Sequence, residues 1–335
     1  MNWDKGFSAR YTYAVVDPAS WRDRETYDLT GGSITKTEDG LMESGNIKLT
    51  DIPGTGEAWI RIYLNATQDG SGSKEAVFTG LLQCPAVDWE GMRDTYSADL
   101  YSVLKPASDI LLPMGWYAPA GVNGALLAAS LLKCGPAPVE CEAGAPALTN
   151  ALIAEKNETR HTMARKIVNA IGWRLRIAGD GIISIIPKAT EQVTVLDPHA
   201  NDIVELKVSD EMDWHACPNV MRVFSGNQTA VARDDDINSP YSTINRGREI
   251  WMEDTQASIG NNESIEQYAI RRLREEQNPT RKIRYARRYL PDVYPGDLVG
   301  IHYPMQKIDG RFCVTSQKIE LGYNTRTSEE SVFYG

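Results

Sequence analysis

The side chains in this 335-residue sequence that could hold a metal or move a proton are four histidines, five cysteines and one acidic triplet. A zinc pair on one helical face needs ligands at i and i+4 with a third elsewhere. His161 has only Glu158, three residues before it, and His199 and His302 stand alone. His215 and Cys217 alternate on one side of a strand, and Cys134 and Cys141 have six residues between them. Neither pair has the Cys-x-x-Cys spacing of a zinc site, and packing or surface placement is the simpler account of both. Asp234-Asp235-Asp236 lacks the alternating oxygens and the glycine at the sixth place of a calcium loop, so it reads as a solvated loop. Gly70-Ser71-Gly72-Ser73-Lys74 lacks the spacing of a phosphate-binding loop and joins two strands, which makes it a hairpin tip. There is no Gly-x-Ser-x-Gly elbow. Carboxylate pairs such as Asp88/Glu90 and Glu155/Glu158 carry no signal in an acidic chain. The reading therefore assigns no catalytic residue, no cofactor and no metal.

One cluster stands out by charge. Arg271, Arg272, Arg274, Arg281, Lys282, Arg284, Arg287 and Arg288 place eight cations within eighteen residues, with Tyr268, Tyr285 and Tyr289 among them. On a strand, Lys282, Arg284 and Ala286 share one side, and Ile283, Tyr285 and Arg287 the other. Such a cluster suits either single-stranded nucleic acid or an acidic neighbouring subunit. In a chain that is otherwise negative, an inter-subunit patch is the preferred reading.

The elements that would position these groups change character twice. Residues 1–105 read as β. Asp28 to Ile34, Glu43 to Leu49, Ala58 to Leu64 and Ala76 to Leu82 are strand candidates. In the third, Ala58, Ile60, Ile62 and Leu64 are apolar at every second position. The loop Gln68 to Ser73 turns the chain, and the glycine spacing suggests a small sandwich or barrel.

Residues 106–190 mix helix and strand. Asn123 caps a helix through Leu132 that Gly135-Pro136 stops, and Gly135 to Pro146 reads as an exposed loop. Thr159 caps a second helix in which Met163, Ala164, Ile167, Val168 and Ile171 share a face, with Gly172 at its end. Trp173, Leu175 and Ile177 alternate as a strand. Gly179-Asp180-Gly181 turns it into a partner over Ile182 to Ile186.

Residues 191–335 are β again, with one helix over 262–277. Asn262 or Ser264 starts it, Ile265, Ala269 and Leu273 line one face, and Asn278-Pro279 ends it. Strands follow at Lys282–Leu290, Asp297–Tyr303, Arg311–Leu321 and Thr327–Phe333. Tyr294-Pro295-Gly296-Asp297 has the proline and glycine of a type II turn.

Composition bounds the class. Hydrophobic residues make up 42% and charged residues 24%, ordinary values for a globular chain. No apolar run is long enough to cross a bilayer, and the N-terminus has no basic-then-apolar leader. An odd, scattered set of cysteines (84, 134, 141, 217, 313) argues against a disulfide framework. The net charge is −10. Counted by segment it is −6 for 1–105 (10 basic, 16 acidic), +2 for 106–190 (8, 6) and −6 for 191–335 (17, 23). An acidic balance disfavours wrapping nucleic acid. The fold class expected is mainly β: two β-barrel or sandwich domains, 1–105 and 191–335, flanking a small α/β insert, 106–190.

This order of parts resembles the baseplate-hub or tail-hub proteins of tailed phages and phage-derived injection particles, including the late-control-D type. The resemblance is carried by the glycine-rich opening, by Leu111-Leu112-Pro113-Met114-Gly115-Trp116-Tyr117-Ala118-Pro119-Ala120-Gly121 before a helix, by Ile171-Gly172-Trp173-Arg174-Leu175 with Gly181 to Pro187 behind it, and by Leu290 to Val299 before two strands. It implies a homotrimer in which two tube domains per subunit form a pseudo-sixfold ring. That ring joins the tail tube or distal tail protein to the tail tip and passes DNA or the tape-measure protein without specific binding. An acidic bore would repel phosphates. The implied place is the virion tail tip, after synthesis in the host bacterial cytoplasm. Because Gly335 directly follows the last strand candidate, wall cutting or receptor binding is expected of a spike or fibre partner.

Two other readings stay open. A distal tail adaptor would form a hexameric ring. A carbohydrate-binding β protein would use the eight tryptophans as stacking faces, though packing explains most of them and no catalytic carboxylate pair stands out.

Overall fold

Alternation along Ala58–Gln68 puts Ile60, Ile62 and Leu64 on one face, and all three are fully buried. In the computed structural model, which describes residues 1–49, 56–83, 86–90, 93–212, 214–215, 217–225, 228–254, 264–277 and 281–334, that face looks into a closed barrel. Its strands run in the order Ser8–Val16, Ala58–Gln68, Ser71–Leu82, Arg93–Ser102, Glu43–Leu49 and Asp23–Thr37, and the last pairs back to the first. Closure removes the exposed edges that such strands would otherwise leave. Tyr13, Ile34, Ile47, Leu64, Phe78 and Leu100 fill the interior.

Two local features let this barrel form. Asp69 and Gly70 both have positive φ, 49° and 78°, so Ala58–Gln68 turns into Ser71–Leu82 through two residues. The hairpin is tighter than the six-residue loop expected, and Ser71 to Ser73 already belong to the strand. Gly32 (φ 140°) and Gly45 lie in neighbouring strands, and a Cβ on either would collide with backbone carbonyl oxygen of the other, at Asn46 and Ser33. Only glycine admits that approach.

Asp23–Thr37 is the longest strand, and it belongs to two sheets. Its first residues pair with Ser8–Val16, and Ser33 to Thr37 pair with Ile308–Glu320. The second sheet continues from Ile308–Glu320 to Arg326–Phe333, Arg281–Arg288 and Val204–Met212 on one side. On the other it continues to Leu298–Tyr303 and Gln192–Leu196. Tyr294-Pro295-Gly296-Asp297 makes the expected turn. Gly296 has φ 84°, and the Asp297 N–H donates to the Tyr294 carbonyl at 3.0 Å.

The segment between the sheets is the α/β insert. Asn123 Oδ1 accepts from the Leu126 N–H and caps Gly124–Leu132. Thr159 and Thr162 form a capping box on Arg160–Ala170. The two helices pack together on Trp173–Ile177, Ile183–Pro187 and Val139–Cys141, with Ala128, Met163, Ala164 and Ile167 at the centre. Val139–Cys141 corrects the expectation of a loop from Gly135 to Pro146. It pairs in parallel with Ile183 to Ile185, more than forty residues on, which no local pattern announces.

By contacts the chain divides into two units, Met1–Val208 with Arg284–Gly335, and Ser209–Ile283. The second unit holds Val220–Ser225 between Gln228–Arg233 and Trp251–Asp254, with the helix Ile265–Glu276 on one face. Met221, Val223, Ala230, Ala232, Tyr268 and Ala269 form its core. Ser264 caps the helix in a box with Gln267; Asn262 and Asn278-Pro279 lie outside the described residues. The architecture is mainly β with a small α/β insert, as the sequence implies.

Candidate assembly surfaces and the buried ionic seam

The insert is fixed to the strands around it by buried polar contacts. Its turn Ala178 to Gly181 lies on the outer wall of the barrel. Arg61, on the face of Ala58–Gln68 opposite Ile60, Ile62 and Leu64, is buried there. It donates to Asp23 Oδ1 at 2.7 Å, Thr79 Oγ1 at 3.0 Å and the Asp180 carbonyl at 3.0 Å. Thr79 Oγ1 donates to the Gly179 carbonyl at 2.7 Å, and Trp21 Nε1 to the Asp180 carbonyl at 3.0 Å. Gly179 is pressed against the Ala76 backbone, so no side chain fits.

A second attachment reaches the Tyr294–Asp297 turn. Arg174 pairs with Asp297 at 2.5 Å and donates to the Pro295 carbonyl at 3.2 Å. Both side chains are buried, where a pair left half-made is costly. Asp297 Oδ2 also accepts from the Tyr294 N–H at 2.9 Å. The Tyr294 ring has the Arg176 guanidinium 4.2 Å from its centroid and Lys36 Nζ at 5.2 Å.

The third attachment is the tip of the barrel hairpin between Thr37 and Glu43. Met42, at φ 63°, packs in the insert's apolar core with Leu41 beside it. Arg165 pairs with Asp39 at 2.5 Å. His161 is buried against this tip. Burial first, then the Arg165 charge, pushes its imidazole down to about 4, against a weaker opposing hydrogen bond at the Gly40 backbone. Its Nε2 has no hydrogen-bond partner. Lys36 and Glu43 pair at 2.9 Å, both buried, and burial pushes the Glu43 carboxyl above its ordinary range. The stretch from Leu111 onward leaves Leu111, Met114 and Tyr117 exposed, with Ile153 opposite Tyr117 in register.

The eight clustered cations go to different places. Arg271 and Arg272 lie on the helix Ile265–Glu276. Arg271 meets Glu275 at 2.8 Å and stacks on Tyr268, and Arg272 meets Glu275 and Glu276, each at 2.8 Å. Arg274 is exposed on the same helix. Arg281 forks onto Asp210 at 3.0 and 2.7 Å, and Lys282 is half-buried. Arg284 is exposed and meets Glu330 at 2.8 Å. Arg288 donates to the Phe7 carbonyl at 2.5 Å. Arg287 is only 1% exposed, forks onto the buried Glu329 at 3.0 and 2.5 Å, and shares that carboxylate with Gln317. The strand alternation read from the sequence had already put Arg287 on the side of Ile283 and Tyr285. The acids that pair with the cluster lie 3 to 71 residues away, so the run of cations alone could not reveal them.

Among the described residues no group of three or more His, Cys, Asp or Glu could hold a metal ion. Asp234, Asp235 and Asp236 are tied up locally: Asp235 meets Arg233 and Thr243, and Asp236 accepts from the Asn238 N–H at 2.9 Å. Trp3, Trp21 and Trp59 pack against other aromatic rings and Trp173 is buried, whereas Trp214 and Trp251 are partly open. No helix among the described residues is long and apolar enough to cross a membrane.

No family model matches the chain, and no curated protein matches it by sequence. Solved structures match it in fold. The tail protein from Neisseria meningitidis MC58 superposes with a TM-score of 0.68 at 14% identity, covering 97% of this chain and 96% of its own. The 43 kDa tail protein of prophage MuSo2 from Shewanella oneidensis gives 0.67 at 14% identity, with the same two coverages, 97% and 96%. The chain has the fold of phage tail proteins. The half-lidded PdpA-VgrG complex of Francisella gives 0.57 at 7% identity, over 98% of this chain and 58% of that one. The resemblance carried by the order of elements is thus met in the fold. At these identities the likeness is one of fold, and it extends over nearly the whole chain.

Proposed function

We propose that this chain is the structural hub of a phage tail or of a phage-derived injection particle, a homotrimer without catalytic activity. One observation carries the reading. A single chain supplies two β modules, a closed six-stranded barrel and a second sheet of six further strands, joined through the barrel strand Asp23–Thr37. Three copies would bring six modules around one axis, the number needed to seat under a sixfold tail tube. Residues 1–105 and 191–335 would be the tube modules, and 106–190 an insert held by the ionic seam.

In this role the hub joins the tail tube or distal tail protein to the tip and lets DNA or the tape-measure protein pass. The exposed Leu111, Met114, Tyr117 and Ile153 offer the tip spike or fibre protein an apolar surface. The hub would sit at the virion tail tip. Of the clustered cations, Arg271, Arg274 and Arg284 are exposed and suit contact between subunits, while Arg287 holds its own chain together. The mass of the purified protein, with negative-stain images, tests the reading. Three copies in a ring are expected. Six copies would support a distal tail adaptor instead, and a monomer that forms no ring would overturn the hub.

A further inference from the structure

The unit Ser209–Ile283 carries two exposed patches of opposite charge, each centred on an apolar side chain. The first is on the helix Ile265–Glu276. Its buried face is Ile265, Tyr268, Ala269 and Leu273, so Ile270, Arg271 and Arg274 share the solvent side. Ile270 is 46% exposed. The second patch is the turn after Gln228–Arg233, where Asp235 and Asp236 precede Ile237, which is 70% exposed. That turn is held in shape. Asp234 accepts from Ser239 Oγ at 2.6 Å and Gln277 Nε2 at 2.7 Å, and Asn245 Nδ2 donates to the Ile237 and Ser239 carbonyls at 2.7 and 2.8 Å. A preorganised turn loses little freedom when it docks.

We propose that the face Ile270-Arg271-Arg274 of one copy seats against the turn Asp235-Asp236-Ile237 of a second copy of this chain. The inference rests on the self-assembly reading and names its contact. Charge complementarity selects the occupant: Arg271 and Asp235 are already paired with Glu275 and Arg233, whereas among the described residues no acid pairs with Arg274 and no cation with Asp236, so these two charges can meet across the contact beside the apolar Ile270 and Ile237. A nucleic acid would meet the arginines but would leave Ile237 and the acidic turn without a role. Made in one direction only, from each copy to the next, the contact is heterologous. Each copy then gives one patch to each neighbour, the geometry that closes rings.

The test uses the full chain with Arg274→Glu, Asp236→Lys, and both together. Association is followed by sedimentation across a concentration series, and circular dichroism checks the fold. Each single reversal is expected to weaken association at least about tenfold, and the swapped pair to return it to within about threefold of the starting protein. Ile237→Ser leaves the hydrogen bonds of Asp236 in place and keeps the acidic side testable if Asp236→Lys disturbs the turn. Single reversals without effect, or a swapped pair no better than either, overturn this contact while leaving a trimer standing. Oligonucleotide binding lost in Arg274→Glu with association intact would reassign the face. An unaltered protein that never leaves the monomer removes both the contact and the hub reading.

Discussion

Arg174 and Asp297 stand 123 residues apart in sequence and meet at 2.5 Å in the protein interior, joining the insert to a turn of the second sheet. Asp297→Ala leaves the guanidinium buried without its partner. It is expected to cost about 3–5 kcal/mol. The double variant Arg174→Met with Asp297→Leu removes both charges and should lose less than the single one. Denaturant midpoints at constant slope measure the difference. A double variant as damaged as the sum of the singles would mean that the pair is not a coupled unit.

Gly296, between those partners, is constrained twice. Its φ is 84°, and a Cβ there would fall on the Arg174 guanidinium. Gly296→Ala therefore adds backbone strain of about 1–3 kcal/mol and displaces Arg174 as well. Gly144, with φ 84° and open space around it, is the control. Gly144→Ala should show the strain alone, so thermal melts of the two variants separate strain from displacement.

Acid should weaken the hold of the insert on the barrel hairpin through His161. Its imidazole is pushed down to about 4 in the folded chain, against an ordinary value of 6.5. Between those values the unfolded chain binds more protons, so stability falls as pH drops from 6.5 toward 4. The loss approaches about 3 kcal/mol. Glu43 works in the opposite sense. Its carboxyl is pushed up by burial, so lowering the pH through its raised value relieves a buried charge. The difference between the starting protein and His161→Gln isolates the histidine. That difference should shrink with acid and level off below pH 4.

The two capping boxes give paired local predictions. Thr159→Ala and Ser264→Ala should each cost about 1 kcal/mol. Because the caps lie in different units, hydrogen exchange should report each separately. Thr159→Ala should loosen Arg160–Ala170 and leave Ile265–Glu276 protected, and Ser264→Ala should do the reverse.

These caps were legible in the sequence because a cap is decided within four residues. The same holds for the alternation of Ile60, Ile62 and Leu64 and for the Tyr294–Asp297 turn, where proline and glycine set φ by themselves. What could not be read was decided across long separations. Alternation puts Arg61 on the face away from the barrel interior, and what covers it there is the turn 178–181, 119 residues away at Asp180. Arg287 looked like one cation of a surface run, although the buried Glu329 waits 42 residues on. Val139–Cys141 lies in a stretch rich in proline, glycine and alanine, and becomes a strand only by pairing with Ile183 to Ile185. The surfaces named for self-contact have the same origin: the turn 234–239 is shaped by Gln277, at the end of the helix Ile265–Glu276.

The strand that serves two sheets also sets an order of events during synthesis. Ser33 to Lys36 can join Glu43–Leu49 at once, but the other edge of Ser33 to Thr37 waits for Ser316 to Glu320. Nearly three hundred residues must leave the ribosome before that edge is covered. Pairing at such separation is slow, and a bare edge invites the wrong neighbour. A nascent chain halted before residue 316 should therefore clump or recruit a chaperone, and release should come only with the final hairpin.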